Sequence, residues 1–95
     1  MKEGLSDIPI TIRAKLLEDI EKLLKVEYST QSETTRALFQ GYLGNIADTL
    51  VPFAPVVSNM LRNRRIMFRA TPELVQNTEY DCKDLREALL HPIKV

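Results

Sequence analysis

The stretch from Asp7 to Arg13, DIPITIR, alternates apolar and non-apolar residues over the length of one short strand, then gives way to AKLLEDIEKLLKV, whose apolar residues recur at helical spacing. That order constrains the chain more than any other feature. In a strand, Ile8, Ile10 and Ile12 share one face, and Asp7, Pro9, Thr11 and Arg13 share the other. A solitary strand cannot satisfy its own backbone N–H and C=O groups, and its open edge invites another chain. A chain of 95 residues forms one small domain, or a minimal module with an extension, and buries a modest fraction of its surface when folded alone. The strand therefore needs a partner, and oligomerisation is one remedy for a chain of this size.

The remainder reads as helix. Leu16, Leu17, Ile20, Leu23 and Leu24 form an apolar stripe, with Glu18, Asp19, Glu21, Lys22 and Lys25 opposite. After Val26, Thr30 followed three residues later by Glu33 matches a capping box and opens a second helix. Its stripe is Leu38, Phe39, Tyr42, Leu43, Ile46 and Leu50, with Pro52 as the stop and Gly41 and Gly44 as weak points. The apolar run IADTLVPFAPVVSNML is interrupted by Asp48, Pro52, Pro55 and Asn59, so it reads as two packed helical segments with a bend rather than a membrane element. A last helix is expected over TPELVQNTEYDCKDLREALLHP, capped by Thr71 with Pro72 at its first position.

Strand, helix, turn, helix is an order that resembles the ribbon-helix-helix DNA-binding proteins of the Arc/MetJ type. The resemblance covers roughly Asp7 to Ile46 and rests on the PITIR strand, the LLEDIEKL helix and the SETTR stretch opening the second helix. It implies a mainly α homodimer, in which each chain gives one strand to an intermolecular two-stranded ribbon, followed by C-terminal helices. Residues 1–46 would be the DNA-binding and dimerisation domain, and residues 47–95 a helical extension. The dimer core would comprise Ile8, Ile10, Ile12, Leu16, Ile20, Leu38 and Phe39. The ribbon would enter the major groove of double-stranded DNA with Asp7, Pro9, Thr11 and Arg13 at the base edges. Thr11 suits that role, and Arg13 can pair with guanine or phosphate. Pro9 offers no donor, and Asp7 is acidic beside a polyanion. Thr30, Gln31, Ser32 and Glu33 would present the free amides of the second helix to a phosphate.

Charge gives this picture little help. The chain has 13 basic and 13 acidic residues. Across residues 1–44, Lys2, Arg13, Lys15, Lys22, Lys25 and Arg36 face Glu3, Asp7, Glu18, Asp19, Glu21, Glu27 and Glu33, a net of −1. Accessory positive charge would come from Arg62, Arg64, Arg65 and Arg69, a run with no acid among them that is equally readable as a solvated helix face. One cysteine, Cys82, and one histidine, His91, exclude a disulfide framework and supply too few soft ligands for a zinc site within one chain. Cys82 reads as a small hydrophobe and His91 as a helix-end dipole partner. The expected location is intracellular and cytoplasmic, since the opening MKEGLSD lacks the apolar core of a signal peptide. No nucleophile and base pair, glycine-rich phosphate loop or metal cluster stands out, so neither enzyme activity nor a cofactor is expected. The leading expectation is a homodimeric transcriptional regulator that represses through its ribbon. The alternatives are an antitoxin-like protein whose C-terminal half holds a protein partner, and a structural or protein-binding dimer without DNA recognition.

Overall fold

The computed structural model describes residues 5–26, 32–66 and 72–90. A single 3-10 turn, Leu5–Asp7, precedes four α-helices: α1 (Ile10–Leu24), α2 (Glu33–Leu50), α3 (Pro55–Ile66) and α4 (Pro72–Leu90). Among the described residues there is no strand. The mainly α expectation stands, and the resemblance to ribbon-helix-helix proteins is overturned, because the stretch it depended on is the beginning of α1.

The reason lies in Pro9. With φ −57° and ψ 149° it occupies the N-cap, and its carbonyl accepts the first helical hydrogen bond from the Arg13 N–H at 2.8 Å. A helix start leaves N–H groups without partners anyway, so the N–H that proline lacks costs nothing there, whereas it would interrupt a ribbon. The isoleucines obey the helical period as well. Ile8, Ile12, Leu16 and Ile20 lie four residues apart and run down one side, while Ile10 falls off that side and is 83% exposed. Ile8, Leu16, Ile20 and Phe39 are buried within a single chain and Ile12 is half-buried, while Leu38 is exposed along with Ile10. The seven residues assigned to a dimer core thus do not form one surface.

Helix α1 sits between α2 and α4. Its buried stripe of Leu16, Ile20 and Leu23 meets Phe39, Leu43, Ile46 and Leu50 of α2 in one core that continues to Leu61, Cys82, Leu85 and Leu89. Each such side chain removed from water stabilises the fold by about 1.5–3 kcal/mol. On the solvent side of α1, Glu18 and Lys22 pair at 3.2 Å, four residues apart in the favourable order.

Helix α2 ends at Leu50, two residues before Pro52. The chain reverses with Phe53 N–H and Ala54 N–H both donating to the Leu50 carbonyl, at 3.0 and 2.7 Å. Pro55 then occupies the first position of α3, which its fixed φ suits. Helix α3 returns antiparallel along α2. The buried Ser58 donates its hydroxyl to the Ala47 carbonyl at 2.6 Å, and further along Arg65 Nε donates to the Gln40 carbonyl at 3.0 Å. Arg65 also explains Gly44, since a Cβ there would lie 3.0 Å from the Arg65 Nε. Helix α4 runs antiparallel to α1, joined to it by Arg86 to Glu21 at 2.8 Å and by Arg13 Nη1, which donates to the Leu89 carbonyl at 2.8 Å. No described helix is long and apolar enough to cross a membrane.

Candidate functional site

The four positions assigned to base reading are not on a common face. Asp7 lies exposed in the opening turn, Pro9 is the exposed N-cap of α1, and Thr11 is exposed on its first turn. Arg13 is turned inward. Its guanidinium donates to the Leu5 carbonyl at 3.2 Å as well as to Leu89, so it fastens the opening turn to the end of α4. At the second helix, Ser32 is the N-cap: its hydroxyl oxygen accepts from the Thr35 N–H at 3.1 Å and donates to the Thr35 hydroxyl at 2.8 Å. The cap therefore sits two residues beyond the expected cap at Thr30. Glu33 opens α2 and is exposed, while Thr30 and Gln31 lie outside the described residues.

Three of the four accessory arginines are engaged within the chain. Arg62 pairs with Asp48 of α2 at 3.1 Å, Arg64 pairs with Asp81 of α4, and Arg65 bonds the Gln40 carbonyl. Arg69 and the expected cap Thr71 lie outside the described residues. Arg62, Arg64 and Arg65 thus have partners on α2 or α4.

Among the described residues the buried polar side chains are Asp19, Ser58 and Thr78. Asp19 is 2% exposed, with Oδ1 3.4 Å from Lys15 Nζ and Oδ2 buried without a hydrogen-bond partner among the described residues. Burial pushes the Cys82 thiol up to about 12, and the Asp81 carboxylate pushes the same way against the opposing effect of Arg64. Lys22 is held above its ordinary value by the hydrogen bond from its ammonium to Glu18. Among the described residues no three His, Cys, Asp or Glu side chains come together to hold a metal ion.

What the structure does bring together is a ridge and two hollows on α2. Leu38, 46% exposed, and the half-buried Tyr42 form the ridge. On one side Thr34, Ala37, Gly41 and Asn45 floor a shallow hollow of about 410 Å³. On the other, a hollow of about 360 Å³ runs to α1 and is bordered by Lys22, Lys25, Val26 and Thr35. Gly41 is the informative residue. It lies inside an 18-residue helix, where glycine costs roughly 1 kcal/mol against alanine, yet a Cβ built on it meets nothing within 4 Å. Gly44 has an intramolecular reason to lack a side chain and Gly41 has none. In the sequence both read as weak points in a helix; the signal available there was that Ala37, Gly41 and Asn45 share one face at intervals of four.

Comparison of the chain with protein-family models, with curated proteins and with solved structures finds no match.

Proposed function

We propose that this chain is a helical protein-interaction module that takes an acidic amphipathic helix of a partner protein across the outer face of α2. The observation that carries the reading is Gly41, a helix-interior glycine open to solvent beside an exposed Leu38. Absence of a side chain there lets a second backbone approach closely, with the apolar side chains of the incoming helix straddling Leu38 and Tyr42. The preference for acid comes from the α1 side of the ridge, where Lys25 borders the hollow together with Lys22, whose charge is shared with Glu18. Both ammonium groups are solvated, so they act mainly on orientation and rate of encounter, while the apolar seat supplies affinity.

Two synthetic amphipathic helices with the same apolar face test this, one flanked by Glu and one by Lys. Fluorescence anisotropy should show binding of the Glu-flanked peptide, its loss with Leu38→Asp and a clear weakening in added salt. Failure of both peptides to bind, or binding indifferent to Leu38→Asp, would sink the proposal. A concentration-dependent dimer in sedimentation equilibrium that disappears with Leu38→Asp would instead give the seat to a second copy of the chain.

Double-stranded DNA is the second reading. It is favoured by Lys25, which with Lys22 borders the hollow beside the first turn of α2, near the positive end of that helix. Contact there would be to phosphate alone, so duplexes of any sequence should bind equally, with log affinity falling linearly against log salt.

A further inference from the structure

Helices α3 and α4 run antiparallel but meet lightly, and the space between them is a cleft of about 460 Å³. From α3 it is lined by Val57, Met60 and Leu61, and from α4 by Leu85 and Ala88, each set spaced to fall on one helix face. One end is bounded by Leu5, which the bond from Arg13 to its carbonyl holds in position. Toward the other end the Arg64 and Asp81 pair bridges the two helices. The volume falls within the range of small-molecule sites.

The polar groups on this cleft carry a sign. Asp81 and Asp84 occupy successive turns of α4 on the lining face, and Arg64 neutralises the first of them. Asp84 is exposed on the rim, next to Leu85 in sequence and one turn from Ala88. Among the described residues the lining therefore offers an apolar trough with one acidic group left over at its edge.

We propose that the α3/α4 cleft binds a small amphipathic cation, with an alkyl body between Met60, Leu61 and Leu85 and an ammonium head group at Asp84. The site is separate from the α2 face and does not depend on the function proposed for it. A neutral ligand of the same length would fill the trough without meeting Asp84, and an anionic one would be repelled by it.

Octylammonium, octanol and octanoate, titrated separately into the intact protein below their aggregation concentrations and followed by heteronuclear NMR, test the proposal. The methyl groups of Val57, Met60, Leu61 and Leu85 should shift with octylammonium, which should bind at least severalfold more tightly than octanol, with octanoate weakest. Going from hexyl- to octylammonium should tighten binding by roughly tenfold or more, as two further methylenes leave water. Asp84→Asn should bring octylammonium and octanol together, and Ala88→Leu, which narrows the trough, should weaken both. If octanoate binds as well as octylammonium, if Asp84→Asn leaves the preference intact, or if the shifted methyls lie elsewhere, the proposal is wrong. Absence of any saturable shift overturns it equally, and because the wild-type titration decides that point, it does not depend on any variant folding.

Discussion

Ile8 and Ile10 are two residues apart and chemically identical, yet they should respond to the same substitution in opposite ways. Ile8 is 4% exposed and belongs to the core, whereas Ile10 occupies the first position of α1 with its side chain in solvent. Ile8→Asp loses the burial of a whole side chain, which costs about 2–5 kcal/mol for truncation alone, and adds the penalty of a carboxyl group in an apolar setting. Ile10→Asp loses almost no burial and places an acid at a helix N-terminus, where attraction to the dipole is worth roughly 0.3–1 kcal/mol. The variants should differ by at least about 2 kcal/mol, which at an m-value of about 1 kcal/mol/M separates their urea midpoints by roughly 2 M. Urea titration followed by far-ultraviolet circular dichroism reads this directly. If both substitutions destabilise alike, the two side chains share one buried face, as in a strand, and the assignment of this segment to a helix start is refuted.

Three further outcomes are expected. Arg13→Met removes the hydrogen bonds from the guanidinium to the Leu5 and Leu89 carbonyls and should lower stability by about 1.5–3 kcal/mol in urea, with Arg13→Lys recovering part of the loss. Gly41→Ala should raise stability by about 1 kcal/mol in the same assay, because the added methyl meets open space, while weakening capture of the Glu-flanked peptide. Cys82, its thiol pushed up to about 12 by burial, should react with a disulfide reagent at pH 8 only as fast as the chain unfolds. Its folded-state value lies above the unfolded one, so its contribution to stability is complete below about pH 8.5 and declines from there toward pH 12. Cys82→Ala should flatten that part of the alkaline stability profile.

Most helices were legible because their stripes are long. Leu16, Ile20 and Leu23, and then Phe39, Leu43, Ile46 and Leu50, keep the helical period over several turns, and Pro52 and Pro55 punctuate α2 and α3 where they stand in sequence. The opening segment misled because seven residues of alternation are too few to separate a strand from a helix start. Ile8 and Ile12 satisfy both periods, and only Ile10 discriminates, through a burial that no sequence displays. Pro9 held the usable clue, since a residue without an N–H suits a helix N-terminus better than a ribbon. The partners of the α3 arginines were hidden for another reason: Asp48, Asp81 and the Gln40 carbonyl are 14 to 25 residues away, and pairing at that range follows from the antiparallel return of α3 and the docking of α4. The α2 face was hidden differently, because the missing Cβ of Gly41 gains meaning only when the space around it is known to be open.

Residues 10–24 form one continuous helix whose first turn stands where a ribbon was expected. NMR of the labelled full chain at micromolar and millimolar concentration tests this. A continuous helix gives helical Cα shifts and sequential amide–amide contacts running unbroken from Ile10 through Leu24 at both concentrations. Extended Cα shifts over Ile8 to Ile12, with cross-strand Hα–Hα contacts between molecules in a mixed-label sample, would contradict it.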